Sequence, residues 1–341
     1  MIVLAQAHRV VPSPVIVHSR YPQRRTVCSC SPFPSTSYFS KLSASRPCGG
    51  RKANASCYAN RECNEEQKQV SEEEEEEDYQ VLTAVRSKYN DIVIVDTPKS
   101  RVLLLDSTHN VHSIINKDSK WTDSYWDDFA ALPPIVPEGP IAMLGLGGGT
   151  AAHLMLDLWP SLQLEGWEID EILIDKAREY LGLSALEKHT EAGGVLKVHI
   201  GDALSPSGNI SGAYAGIIID LFSDGKVLEQ LQEVTTWLEL NDRLMPNGRL
   251  MVNCAGGDSD ITNGEIHPQS VDGTWIQNST IKTLSKAFPG NLCWKRIPNA
   301  QGENFLALTG PLPDLTAWST MVPVQLSQNV KQWKLIEQTA C

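Results

Sequence analysis

The stretch IAMLGLGGGTAAHLMLDLWPSLQLEGWEID, residues 141–170, decides the fold. Ile141 to Leu146 is a short apolar run with the length of a buried parallel strand. Gly145, Gly147, Gly148 and Gly149 follow with almost no side-chain bulk, so the backbone can turn sharply and approach a ligand. Thr150 to Leu158 has helical periodicity until Pro160 closes it, and Leu162 to Trp167 is a second strand running into Glu168 and Asp170. Strand, glycine turn, helix, strand and acid is the layout of a nucleoside site in a doubly wound sheet. The turn and helix N-terminus receive the ligand, and the acid, about 20 residues on, takes two ribose hydroxyls.

Outward from this stretch the alternation continues. Ile172–Tyr180 has helical spacing, Val195–Ile200 is a third strand closed by Gly201-Asp202-Ala203, and Ala215–Ile219 a fourth closed by Asp220. Val227–Leu240 reads as a long helix, Pro246-Asn-Gly248 as a turn, and Arg249–Asn253 as a fifth strand. A helix over Thr280–Phe288 and strands near Leu292–Arg296 and Asn304–Leu308 follow, the last two as an antiparallel edge. The expected fold class is therefore α/β, a doubly wound, Rossmann-like, mostly parallel sheet covered on both faces. Upstream, VLTAVRSKY, DIVIVD and RVLLLD are short strand-like runs between polar turns, which predicts a small antiparallel sheet ahead of the main one. WTDSYWDDFAALPPIVP joins the two, with one or two helical turns before Pro133-Pro134.

The charge is unevenly spread. Residues 1–61 contain nine Lys or Arg and no acid; residues 62–78 carry −9, so the whole −12 of the chain rests on residues 79–341. A folded part this acidic argues against a nucleic-acid partner. No apolar run approaches the ~20 residues of a membrane span. The acid-free leader, rich in Ser, Arg and Pro, has the composition of an organelle transit peptide. Without an evident Arg-rich amphipathic helix it leans towards the plastid stroma. Residues 62–78 read as a solvated acidic linker. Five of eight cysteines (Cys28, Cys30, Cys48, Cys57, Cys63) lie in or beside the leader. Cys254, Cys293 and Cys341 form neither a disulfide framework nor a metal site, and the histidines show no ligand spacing. The expected organisation is leader 1–61, linker 62–78, small sheet 79–136, nucleoside-binding domain 137–315 and tail 316–341.

Glu168, Asp170, Asp202 and Asp220 all sit just beyond strand C-termini, and in an open parallel sheet those positions share one crevice. Glu168 can accept two ribose hydroxyls and Asp202 an exocyclic adenine amine; as structural residues, either could instead cap the following helix. Asp220 reads equally as a general base or as a turn cap.

LGLGGGT, EIDEILIDKAREY, VHIGDAL and YAGIIIDLFSD resemble the spermidine synthases, or polyamine aminopropyltransferases, relatives of class I S-adenosylmethionine-dependent methyltransferases. The resemblance covers roughly residues 85–310, small sheet included. It implies that the glycine turn, with Gly145, Thr150, Asp170 and Ala203 beside it, lines a nucleoside held by Glu168 and Asp202. It also implies Asp220 as the base that takes a proton from an attacking amine, Tyr125 and Asp224 beside the incoming substrate, and a homodimer.

Four departures bear on the reaction. Thr150 stands where the family's Asp grips the amino group of the aminopropyl donor, and Trp126 replaces a histidine. Pro298-Asn-Ala-Gln-Gly302 lacks the family's tyrosine, and Asp220-Leu-Phe-Ser-Asp224 is one residue longer than its counterpart. A hydroxyl cannot form the charge-assisted bond of a carboxylate. On that ground the sequence slightly favours methyl transfer from S-adenosylmethionine to a small acceptor over aminopropyl transfer from its decarboxylated form to a polyamine. Two readings from other classes stand beside these. A nicotinamide oxidoreductase is disfavoured because GLGGGT lacks the third glycine of G-x-G-x-x-G. A catalytically silent nucleoside-binding protein would bind the donor without turnover.

Overall fold

The computed structural model describes residues 79–106, 110–205, 212–223, 225–256, 274–299 and 302–336. The expected leader, the acidic linker and Asp224 lie outside them. Four strands open the described chain: β1 (Gln80–Arg86), β2 (Asp91–Asp96), β3 (Ser100–Leu104) and β4 (Ser113–Asn116), an antiparallel sheet in sequence order. β2 alternates as the half-buried pattern demands, with Ile92 and Ile94 fully inside. The turn into β3 is closed by Thr97, whose hydroxyl accepts from the Ser100 amide at 3.0 Å.

The main sheet has eight strands. β5 (Ile141–Leu144) is central, flanked on one side by β6 (Gln163–Glu168) and β7 (Val195–Ile200). On its other side come β8 (Tyr214–Ile219), β11 (Leu244–Asn253), β13 (Gly302–Thr309), β12 (Leu292–Asn299) and β14 (Lys334–Leu335). β5 to β8 and β11 run parallel; β13, β12 and β14 are antiparallel additions. This is a doubly wound, mostly parallel sheet. β9 (Phe222–Ser223) and β10 (Lys226–Val227) make a small hairpin outside it.

Eight α-helices complete the described chain: α1 (Tyr125–Phe129), α2 (Thr150–Leu158), α3 (Glu171–Tyr180), α4 (Leu183–Leu186), α5 (Val234–Asp242), α6 (Ser279–Ala287), α7 (Leu315–Met321) and α8 (Val324–Val330). Alternate strand residues feed two separate cores. Ile141, Met143, Ile218 and Met251 join Phe129, Met155, Ile174 and Trp318 on one face. Ala142, Leu144, Ile217, Ile219 and Val252 join Trp237, Leu240, Ile281 and Leu284 on the other. Both faces being covered explains why β8 is buried at every position.

Three expectations need correction. The long helix over Val227–Leu240 is a hairpin strand, a 3-10 turn at Glu229–Gln232 and only then α5. Val227 pairs with Phe222, and this hairpin pairing overrides the helical spacing. β11 runs through the expected Pro246–Gly248 turn, absorbing it as a register shift against β8 with Asn247 at φ 68°. The last hairpin is not the sheet edge, because β13 pairs with β11 and the short β14 covers β12.

Candidate functional site

The chain leaves β5 to build β6 and β7 on one side, then crosses back to β8 on the other. The C-terminal ends of β5 and β8 therefore form the switch-point crevice where ligands bind in such sheets. Gly145 closes its floor. At φ 87° its backbone lies so near β8 that a Cβ would stand 2.1 Å from the Asp220 carbonyl oxygen, and the Asp220 amide donates to Leu144 O at 2.9 Å. Gly147 and Gly149 also have positive φ, and Gly149 is the N-cap of α2. Gly148 has another constraint: a Cβ would meet Leu181 at 2.5 Å and Ser113 at 2.8 Å.

Glu168 is hinged onto this turn. One carboxylate oxygen accepts the Gly147 amide at 3.0 Å, the other the amides of Ile169 (3.0 Å) and Asp170 (3.1 Å). Burial raises its pKa above the ordinary carboxylate value, and those three amides pull it back. The oxygen facing Gly147 receives one bond and keeps acceptor capacity for a hydroxyl.

Asp170 and Thr150 have their side-chain hydrogen-bonding groups committed within the fold. Asp170, 1% exposed, caps α3 by accepting from the Ile172 and Leu173 amides, while its other oxygen takes Asn90 Nδ2 at 2.7 Å and the Ser87 hydroxyl. Its acceptors are spent on joining the β1–β2 turn to α3. The Thr150 hydroxyl accepts the Ile114 amide at 2.8 Å and donates to the Ile114 carbonyl at 3.1 Å, so it latches α2 to β4. Beside it, Ser113 Oγ accepts the Gly148 amide at 2.8 Å. The small sheet thus braces the glycine turn directly.

Asp202 lies beyond β7, on a cavity of about 440 Å³ that also takes in the β1–β2 turn. One of its oxygens accepts the Leu204 amide at 2.9 Å. Three large aliphatic side chains, Ile169, Ile172 and Ile200, are about 40% exposed on the same cavity. An apolar slot with an acceptor at its edge suits a flat base carrying an exocyclic amine. These isoleucines were missed in the sequence, where they read only as strand and helix residues. Ala203 is buried; its carbonyl accepts Arg243 Nη1 at 2.7 Å, so it shapes the wall from behind.

The most perturbed acid is Asp220. Burial pushes its pKa up to about 6, against hydrogen bonds from Asn253, Tyr125 and Trp126 that lower it. Tyr125 Oη donates to one oxygen at 3.2 Å, and Asn253 Nδ2 to the other at 2.9 Å. Asn253 ends β11, and its own side-chain oxygen accepts the Ala255 amide at 3.1 Å, which fixes the amide orientation. The rule that gathered the acids, polar residues at strand C-termini, also points to Asn253; restricting it to carboxylates missed this residue. Tyr125, from α1, has its phenol pKa raised by burial and by Asp220. A second cavity, about 200 Å³, lies between the β1–β2 turn, His112 and the hairpin residues Phe222 and Ser223. Among the described residues no cluster of His, Cys, Asp and Glu could hold a metal ion. None of their helices is long and apolar enough to cross a membrane.

No family model matches the chain. A probable polyamine aminopropyl transferase of Bifidobacterium longum is 25% identical over 223 residues, which are 65% of this chain. The chain spans only 45% of that relative's length. A probable spermidine synthase from Corynebacterium glutamicum superposes with a TM-score of 0.52 at 15% identity, over 76% of this chain and 97% of that one. A spermidine synthase solved with the transition-state analogue AdoDATO gives 0.51 at 18% identity, over 67% and 73%. In fold, then, the chain is spermidine-synthase-like. The preference for methyl transfer is not supported by these relatives, whose descriptions name aminopropyl transfer and spermidine synthesis.

Proposed function

We propose that this chain is an aminopropyltransferase that moves the aminopropyl group of decarboxylated S-adenosylmethionine to an amine acceptor. The observation that carries the reading is the Tyr125–Asp220–Asn253 cluster at the switch point: a buried carboxyl with its pKa near 6, beside a turn built to seat a nucleoside. The Bifidobacterium relative supports the choice of group transferred.

In this reading the adenine lies between Ile169, Ile172 and Ile200 with its amine on Asp202, and Glu168 takes a ribose hydroxyl. The acceptor nitrogen attacks the methylene bonded to the sulfonium. The C–N bond forms as the C–S bond breaks, the electron pair stays on sulfur, and methylthioadenosine leaves neutral. The surplus proton on nitrogen passes to Asp220. An alkylammonium has a pKa of about 10 and an ordinary Asp about 4. Raising Asp220 from 3.8 to about 6 therefore makes that transfer about 3 kcal/mol less unfavourable. Tyr125 and Asn253 hold the carboxylate in place while the acceptor arrives. The second cavity, on the His112 side of the glycine turn, offers room for the acceptor chain.

Mass spectrometry of reactions with decarboxylated S-adenosylmethionine and a panel of diamines and polyamines tests the reading. The expected products are methylthioadenosine and an aminopropylated amine. A methylated acceptor formed with S-adenosylmethionine, and no product from the decarboxylated donor, would replace it with methyl transfer. The same proposal takes residues 1–61 as a plastid transit peptide, which import of a leader–reporter fusion by isolated plastids checks directly.

A further inference from the structure

α1 is a single turn of five residues, and Ser124 ahead of it makes no side-chain capping bond. A helix this short does not hold itself together. Yet its first residue, Tyr125, must keep a hydroxyl within reach of Asp220. The side chains that follow are buried, and two of them are carboxylates: Asp127 and Asp128. Asp127 folds the entering chain back on itself, accepting from the Thr122 amide and hydroxyl and the Asp123 amide. Asp128 reaches out of the turn altogether.

Its partner is Lys295 on β12, with Nζ 2.5 Å from Asp128 Oδ1 and the two side chains 1% and 4% exposed. Lys295 also donates to Asn329 O at 3.3 Å, at the end of α8, and its ammonium lies 5.4 Å from the centre of the Trp333 ring. Burial lowers the lysine pKa, and Asp128 offsets only part of that fall. The carbonyls just after α1 are tied down as well, Ala130 O by Trp159 Nε1 at 2.9 Å and Ala131 O by Trp318 Nε1 at 2.8 Å.

A buried ion pair is weak evidence for stability, since well-packed apolar side chains of similar volume often do as well. What it supplies is direction. Asp128 and Tyr125 are three residues apart, on adjoining faces of one helical turn. Fixing Asp128 to the sheet therefore fixes the rotation of α1 and the height of the Tyr125 hydroxyl. We propose that Lys295 is a positioning residue for the Tyr125–Asp220 pair, acting through Asp128 from the opposite end of α1. The claim rests on the reading of Asp220 as the base only for its kinetic consequence; its structural half stands without substrate.

The test is the double variant Lys295→Met/Asp128→Leu, which swaps the ion pair for apolar volume, compared with Tyr125→Phe. Asp220 is followed in the free protein by carbon-13 NMR of its carboxyl group, assigned by loss of the signal in Asp220→Asn. Around this carboxyl Tyr125 is the titratable partner, and Asn253 and Trp126 are neutral donors. A folded double variant is expected to titrate about one pH unit above the wild type, as Tyr125→Phe does, because the carboxylate loses the same hydrogen bond. The turnover rate should fall about tenfold with donor KM unchanged. A folded double variant with the wild-type midpoint would make the pair structural only and overturn the proposal. Should that variant not fold, Asp128→Asn keeps the shape and must show the same upward shift in smaller measure; an unmoved midpoint there refutes the proposal equally. A shifted midpoint in a protein whose wild type transfers nothing would uphold the positioning and defeat the proposed function alone.

Discussion

Asp220→Asn should stabilise the protein at alkaline pH while abolishing its chemistry. Asp220 titrates near 6 in the folded chain against 3.8 ordinarily, with burial as the main cause. The folded state therefore binds this proton more tightly than the unfolded state, and native stability falls as pH rises from about 4 to about 6. Above that window the folded protein carries an ionised, buried carboxylate. The shift of about 2 units corresponds to about 3 kcal/mol. An amide carries no charge to desolvate. It can keep both contacts, with its oxygen toward Asn253 and its NH2 toward the Tyr125 hydroxyl, which can accept as well as donate. Thermal or denaturant unfolding of both proteins should show the variant ahead by about 3 kcal/mol at pH 8, or roughly 6–12 °C in Tm for a fold of this size. The advantage should shrink below pH 6 and vanish near pH 4. Transfer activity should drop by about 10²–10⁴-fold with the general base gone. Equal stabilisation at both pH values, or a loss at pH 8, would refute the argument that Asp220 is held ionised against its surroundings.

Gly145→Ala should yield little folded protein, since its Cβ would stand 2.1 Å from the Asp220 carbonyl oxygen at a φ of 87°; soluble yield and circular dichroism check this. Thr150→Val should cost about 1–3 kcal/mol in denaturant unfolding, because both main-chain groups of Ile114 lose their partner. Glu168→Ala should weaken donor binding by about 10–100-fold in calorimetric titration. In the unsubstituted protein donor affinity should fall on acidification from above the ordinary carboxylate range, because the pKa of Glu168 is raised and only its ionised form accepts a hydroxyl without a proton in the way. Affinity unaltered by pH between 4 and 8 would count against Glu168 as the ribose anchor.

The sequence was most informative where structure is local. Thr150–Leu158 has identical limits in the structure because a glycine N-cap and Pro160 bracket it, and Val195–Ile200 is likewise unchanged. β4 was missed because SIIN is four residues beside polar turns and owes its strand to pairing with β3. Side-chain direction was harder still. Thr150 sits where a ligand contact is expected, but Ile114, 36 residues earlier, claims its hydroxyl. Asp170 ends the same strand motif as Glu168 but turns away to cap α3. The Asp220 cluster draws on α1 and the ends of β8 and β11, and only the fold shows that Asn253 and Tyr125 both bond its carboxylate.

Thr150 and Trp126 depart from the family pattern at the positions that bear on the donor. Calorimetric titration of the full chain with decarboxylated S-adenosylmethionine and with S-adenosylmethionine, side by side, tests the choice of donor most directly. An aminopropyltransferase should bind the decarboxylated donor more tightly, with affinity reduced in Glu168→Ala. A preference for S-adenosylmethionine, or binding of neither, would contradict aminopropyl transfer.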